Sequence, residues 1–336
     1  MVWLKFTLCA AIILFAGKHV ARNADIIAEK TRLGGLWVGL ILVSVTTSLP
    51  ELFTGVGSVV FLDAPDLSVG NLLGANSYNL LNIALLDVLK GGTPLLSVIG
   101  SGHLLTALFG LLPVMLVIIA IALQAKGFAW SAGNIGVFSI LIFFSYCIAT
   151  RVIYKLGKKG QKEDLVKSTD PKANRYEGVS LKKAYIYYGV AALLIVASGV
   201  WLAFIGKEIS TTLHLGESFI GSLLLGFATT LPEITVSVVA LHMGAREIAI
   251  ANMLGSNMFN MSIIFIDDIL YRKAPILQVV SPDHILQGVI VMAMTTIVIL
   301  ALVTRSKRKI LSVSWYVPFL LILFLAGAYL NFGGRF

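Results

Sequence analysis

Two stretches, VTTSLPELFTG from Val45 and FATTLPEITVS from Phe227, put a proline and a glutamate inside otherwise apolar runs. Proline has no N–H and its ring crowds the preceding turn, so Pro50 removes the helix bond to the carbonyl of Thr46, and Pro232 the one to Ala228. An unpaired carbonyl at membrane depth is tolerated only against protein or a water-lined cavity. Thr47 and Glu51 are four residues apart and share a helix face with the broken turn; Thr229 and Glu233 repeat that spacing. Two further segments add polar stripes at the same interval: Asn71, Ala75 and Asn79, and Asn252, Ser256 and Asn260. Gly74 and Gly255 within them permit close approach of a neighbouring helix. Oxygen ligands without histidine or cysteine favour a hard cation. Calcium takes roughly 6–8 oxygens, and two bidentate glutamates plus one oxygen each from Thr47 and Thr229 reach the lower bound. Two carboxylates also neutralise one divalent ion.

Each of these residues has a bland explanation when taken alone. An intramembrane proline kinks a helix, and a threonine or asparagine there bonds to its neighbour helix. The duplication of the whole set decides for function, because an ionisable residue inside a membrane is a functional group by default.

The elements that position these residues must cross a membrane. The chain has 336 residues, 57% hydrophobic and 13% charged, with mean hydropathy +0.90. A soluble domain carries about 25% charged residues. Ten apolar segments are long enough to span, at 3–20, 35–61, 67–89, 103–124, 129–149, 183–206, 212–242, 247–270, 283–304 and 313–332. The second and seventh are long enough to be tilted or broken. The first lacks a small-residue cleavage site, so it reads as a span and not as a signal peptide. Cys9 and Cys147 both fall in apolar spans, with no disulfide or metal-ligand spacing, and read as packing residues. No cofactor is implied.

Net charge is +9, and its distribution decides what it means. Of the 26 Lys and Arg, 20 follow odd-numbered spans, ten of them between Arg151 and Lys183; the remaining six lie on the other side with both termini. Positive residues stay in the cytoplasm, so both termini are predicted outside and the linker 151–182 inside, in a cell (inner) membrane. The basicity is a topology signal and not a nucleic-acid surface; the bilayer is the predicted partner.

The linker divides the spans five and five: a first half at 1–150 and a second at 183–336. A shift of 182 residues puts Thr47 on Thr229, Pro50 on Pro232 and Glu51 on Glu233. A shift of 181 puts Asn71 on Asn252, Gly74 on Gly255, Asn79 on Asn260, Asp87 on Asp268 and His103 on His284. Five spans is an odd number, so the second half enters from the opposite face. The predicted fold is an all-α integral membrane protein of ten transmembrane helices, in two inverted five-helix repeats with helices 2 and 7 broken. Secondary transporters built this way bind at the repeat interface near the midplane.

The segments TTSLPE with GNLLGANSYN, and ATTLPE with ANMLGSNMFN, resemble the paired alpha-repeats of the sodium/calcium exchanger family, within the calcium/cation antiporters. In this chain the alpha-repeats cover about 35–90 and 217–271. The resemblance implies alternating-access antiport of Ca²⁺ against Na⁺ or H⁺, without enzymatic activity. It implies Glu51 and Glu233 as central carboxylates. Thr47, Ser48, Thr229 and Thr230 would add hydroxyl or carbonyl oxygens, and Ser256, Asn79 and Asn260 would serve from neighbouring helices. Three departures bear on the counter-ion: Ala75 stands at a serine position, Thr46 and Ala228 replace a glycine, and Asn260 stands where some members are acidic.

Two other functions compete. An intramembrane aspartyl protease using Asp87 with Asp267 or Asp268 fails, because no GxGD motif is present and the inverted repeat sends Asp87 and Asp268 to opposite faces. A passive cation channel, or an exchanger of another divalent ion, would use the same broken-helix site. Outside these motifs, Asp87 and His103 are 16 residues apart, as are Asp268 and His284. That repeated spacing predicts that each pair meets across its interhelical turn.

Overall fold

The computed structural model describes residues 1–31, 43–165, 178–310 and 312–333. The first helix, α1 (Val2–Thr31), runs well past the expected span 3–20. Hydropathy marks only the part that meets lipid, and nothing between Ala21 and Thr31 stops a helix. There Ile26 and Ile27 pack against Ala184 of the second half.

Of the second expected span, 35–42 lies outside the described residues. The remainder forms α2 (Ser44–Thr47) and α3 (Leu49–Val56), which continues as a π-turn at Gly57–Phe61. Between α2 and α3, Ser48 leaves helical geometry at φ −87°, ψ 11°. Pro50 sits in the first turn of α3, where a helix has no partner for its N–H in any case. The second half repeats the device: α7 (Leu181–Leu213), α8 (Glu217–Ile220), a π-turn at Gly221–Leu225 and α9 (Gly226–Thr229) precede a break at Thr230 (φ −81°, ψ 0°), and α10 (Leu231–His242) begins at its own proline. Each proline therefore starts a new helical segment rather than kinking an old one.

The crossing helices are α4 (Pro65–Lys90) and α11 (Arg246–Leu270). Outside them lie α5 (Gly102–Gln124), α6 (Val137–Leu165), the short α12 (Ile276–Val279), α13 (Asp283–Thr304) and α14 (Tyr316–Gly333). Eight helices among the described residues are long and apolar enough to cross a membrane, and two shorter apolar ones run over Leu49–Phe61 and Tyr316–Asn331. The expected spans 129–149 and 313–332 each open on something periodicity did not show, a two-stranded hairpin. β1 (Ser131–Ala132) pairs with β2 (Ile135–Gly136), and β3 (Lys309–Ile310) with β4 (Val313–Ser314). The linker also differs from expectation: α6 continues to Leu165, since 151–165 is rich in Lys and holds no proline. Residues 166–177 lie outside the described set.

Large side chains such as Leu4, Phe15, Leu193, Ile322 and Tyr329 are exposed on the periphery, as a lipid-facing surface requires. Cys9 is buried and donates to the Ser198 carbonyl, but Cys147 is exposed on the outer face of α6 and is not a packing residue. Inside, backbone approach is tight at matched positions. A Cβ on Gly17 of α1 would lie 2.8 Å from Pro232 Cβ, and one on Gly199 of α7 would lie 2.9 Å from the Pro50 carbonyl. A Cβ on Gly74 of α4 would sit 2.1 Å from the carbonyl oxygen of Ser222, so α4 crosses the second broken segment in direct backbone contact.

Candidate cation site

The two helix breaks face each other at the waist of the fold. Thr47, Ser48, Glu51, Thr229, Thr230 and Glu233 are all buried, as are Asn79, Asn260 and Ser256. The two carboxylates are near enough to repel each other. The Thr229 hydroxyl lies beside Glu51 and the Thr47 hydroxyl beside Glu233, so each half contributes a threonine to the other half's glutamate; Ser256, of the same half, also lies beside Glu233. Ser48 donates to Glu233 Oε1 at 3.0 Å. Glu233 Oε2 and both oxygens of Glu51 have no hydrogen-bond partner among the described residues.

The asparagines are oriented by a chain of obligatory bonds. Asn76 Nδ2 donates to the backbone carbonyl of Asn257 (3.2 Å), and Asn257 Nδ2 to that of Asn76 (3.3 Å). A carbonyl only accepts, which fixes both amides. Their Oδ1 atoms then accept from Asn260 Nδ2 (3.1 Å) and Asn79 Nδ2 (3.0 Å). Asn79 and Asn260 have thus committed their donors, and their buried Oδ1 atoms have no partner among the described residues. The ring presents oxygens and hides its N–H groups, the polarity a cation requires.

The threonines are fixed in the same way. Asn252 Nδ2 donates to the Glu233 carbonyl (3.2 Å) and to Ser237 Oγ (3.0 Å), leaving Oδ1 to accept from Thr47 at 3.1 Å. Thr229 likewise donates to Asn71 Oδ1 at 3.1 Å. Each threonine keeps lone pairs free for an ion. Ser256 Oγ reaches the Ser44 carbonyl at 3.4 Å and lies 3.5 Å from Thr47 Oγ1. Thr230 is the candidate not brought in: its hydroxyl donates back to the Gly226 and Phe227 carbonyls. Ser77 points away from the Ala75 position, bonding to the Leu73 carbonyl and to Gln287. The asparagine ring, Asn71, Asn252 and Ser237 hold the candidate side chains in place; Asn76 and Asn257 recur at the 181-residue shift.

The expected Asp87–His103 and Asp268–His284 pairs do not form. Asp87 Oδ1 accepts the backbone N–H of Leu95 (2.6 Å) and the Tyr316 hydroxyl. Asp268 accepts the N–H groups of Ile276 and Gly136. Asp87 thus ties the turn after α4 to the start of α14, and Asp268 ties the turn after α11 to the end of β2. The histidines pair across the repeats instead: His103 with Glu247 at 2.6 Å, and His284 with Asp66 at 2.9 Å. Asp66 and Glu247 correspond under the same 181-residue shift, a repeat of charge without repeat of residue type. At the surface Lys273 joins Asp63 across the α3–α4 and α11–α12 connections and holds the Asp63 carboxyl below the usual carboxylate range.

Two inverted repeats, each with a broken helix carrying a buried carboxylate, define the class: an inverted-repeat membrane transporter. The profile of the family described as "Sodium/calcium exchanger protein" matches residues 1–194 and again 183–332. The chain belongs to that family. It is 22% identical over 254 residues to inner membrane protein YrbG of Escherichia coli, covering 75% of this chain and 74% of that protein. With membrane protein MJ0091 of Methanocaldococcus jannaschii it shares 24% identity over 255 residues, 75% and 76% of the two chains. Solved structures of the sodium-calcium exchanger NCX_Mj share the fold, one with TM-score 0.64 and 18% identity over 97% of this chain and 96% of that one. Another covers both chains fully at TM-score 0.62 and 21% identity.

Proposed function

We propose that this protein exchanges Ca²⁺ for Na⁺ by alternating access, with Glu51 and Glu233 as the central ligands. One observation carries the reading: two fully buried carboxylates from oppositely oriented repeats have three of their four oxygens unpartnered among the described residues. Buried charge of that kind is costly unless a counter-charge is present. A divalent ion bound by both carboxylates supplies it. Thr47, Thr229, Ser48, Ser256, Asn79 and Asn260 contribute neutral oxygens around that ion, and the Thr230 hydroxyl joins only after a side-chain rotation.

Exchange, and not leak, follows from the same charges. Ca²⁺ and its counter-ion compete for the same two carboxylates, so one must leave before the other fills the site. An unoccupied pair would carry two uncompensated charges through the sealed state, which the low dielectric opposes. The ligands are sealed in this conformer, with Glu51 and Glu233 both 0% exposed, which favours a carrier over an open channel. H⁺ is the alternative counter-ion, acting on the glutamates directly. The charge distribution supports a cell (inner) membrane location with both termini outside and 151–182 in the cytoplasm.

The test is radiolabelled Ca²⁺ uptake into proteoliposomes with Na⁺, K⁺ or pH gradients imposed separately. Uptake that requires outwardly directed Na⁺ supports the reading. Uptake down the Ca²⁺ gradient without any counter-ion would make the protein a channel. For orientation, a cysteine at Ser168 in a background lacking Cys9 and Cys147 should resist an impermeant thiol reagent added outside cells; rapid labelling would invert the topology.

A further inference from the structure

A third carboxylate is buried in the membrane-spanning region, away from the waist. Asp267 lies near the end of α11 and is 0% exposed. Ser68, in the first turn of α4, donates its hydroxyl to Asp267 Oδ2. Asp267 Oδ1 has no hydrogen-bond partner among the described residues. Against it lies Gly55 of α3, where a Cβ would stand 2.5 Å from Oδ2. Gly55 is four residues beyond Glu51 on the same helix, so Asp267 packs on the segment that carries a central carboxylate.

This site is written once. The repeat shift puts Leu86 opposite Asp267, Ala249 opposite Ser68 and Ser237 opposite Gly55. The acid, its hydroxyl partner and the glycine that makes room for it all occur at one end of the fold, and all three are absent from the other.

The charged groups on the surrounding elements are paired elsewhere, turned to the waist or exposed. Asp268, the next residue, accepts two backbone N–H groups, and Asp66 on α4 pairs with His284. Glu51 faces the waist, and Asp63 and Lys273 hold each other at the surface beside Tyr271. Asp283, at the start of α13, is exposed. At the neighbouring end of α7, Lys207 pairs with Glu217 and Glu208 with Lys5. The nearby ends of α5 and α6 bring no acid or base until the exposed Lys126. No described Lys, Arg or His forms an ion pair with Asp267.

One carboxyl and one hydroxyl are too few oxygens for Na⁺ or Ca²⁺. A proton needs only one. We propose that Asp267 is a proton site on the outer access path of this transporter. The acid holds its proton while packed on Gly55; when α3 moves and water enters, the carboxyl O–H bond breaks, the proton passes to water and the charge remains on Asp267. Outer pH then biases outward opening, with high pH favouring it. The coupling to movement rests on the antiporter reading; the bound proton does not.

The experiment has two readouts, using wild type and Asp267→Asn. Infrared spectra of the purified protein at neutral pH should contain a carboxylic-acid carbonyl band that shifts in D₂O and is lost in Asp267→Asn. In oriented proteoliposomes with the two pH values set independently, wild-type Ca²⁺ exchange should rise with outer pH. Asp267→Asn should behave at every outer pH as wild type does in acid, flattening that rise by at least about threefold, with inner-pH dependence unchanged. Ser68→Ala, which keeps the acid but removes a donor to its ionised form, should retain the band and move the outer-pH profile toward alkaline, and serves if Asp267→Asn fails to fold. Spectra without the band overturn the proposal. So does a band accompanied by an unaltered outer-pH profile in the variant, since the proton would then be structural only. Absence of Ca²⁺ exchange under every gradient would instead sink the antiporter reading, while the infrared result still decides whether Asp267 holds a proton.

Discussion

The waist of the molecule and the layer around Asp267 are built from the same repeated elements to opposite rules. At the waist the halves agree closely: Thr47 bonds Asn252 as Thr229 bonds Asn71, and Asn76 and Asn257 exchange reciprocal bonds. One turn further along the broken helices the agreement ends. Ser237 donates to the Ala249 carbonyl and accepts from Asn252, whereas its counterpart Gly55 offers no side chain and Asn71 Nδ2 has no partner among the described residues. The space that glycine leaves is filled by the Asp267 carboxylate. An ion must be held from two directions in turn, so the shared centre is served well by symmetry. The two routes to it meet different solutions and are free to differ.

The largest expected effect lies at the centre. Glu51→Gln and Glu233→Gln should each lower Ca²⁺ exchange by roughly two orders of magnitude or more, because one carboxylate leaves a dehydrated divalent ion half-compensated. Size-exclusion profiles should remain those of wild type. Near-normal flux in either variant would show that its half does not contribute charge to the site.

Making the off-centre layer symmetrical should cost stability. Gly55→Ser, which imitates Ser237, should destabilise by about 1–3 kcal/mol through overlap with Asp267. Adding Asp267→Ala should recover much of that loss, read as thermal unfolding in detergent. Strict additivity in this cycle would mean that the two positions do not share one space.

The histidine pairs come next. His103→Gln and Glu247→Gln together should cost less than the sum of the single losses, with a coupling of ~1 kcal/mol. His103→Gln with Asp87→Asn should be additive, which separates the observed pairing from the sequence-based one. A smaller change should follow Ala75→Ser, which restores the hydroxyl carried by Ser256. If Na⁺ drives exchange, apparent Na⁺ affinity should rise by about threefold while Ca²⁺ affinity hardly moves. An unmoved Na⁺ dependence would remove position 75 from the ion site.

The smallest effect belongs to Lys273 and Asp63 at the surface. Lys273 holds the Asp63 carboxyl low, so its contribution is present above the ordinary carboxylate range and disappears as pH falls through the lowered value. Both groups are exposed, so Lys273→Ala should leave thermal stability almost unchanged at physiological salt and more so at high salt. A loss as large as that of the buried variants would contradict this ranking.

The membrane class and the inverted repeat are legible in the linear chain, and the two glutamates stand out there as candidates. Those features rest on long apolar runs, on charge asymmetry and on positions that recur at fixed shifts, all of which are linear properties of the chain. Tertiary structure decided which polar atoms meet. The aspartate–histidine spacing recurred faithfully, yet each aspartate accepts a backbone N–H from the turn after its own helix and a second donor from a distant element, and each histidine meets an acid from the opposite repeat. Thr230 matches its motif position, yet its hydroxyl closes on its own helix. Asp267 has no repeat partner, so duplication could not mark it; only the packing of α3 and α4 against α11 shows a buried acid beside a glycine. Hydrogen bonds and burial depend on which helices touch and at what height, and that information arises only when the two halves are folded against each other.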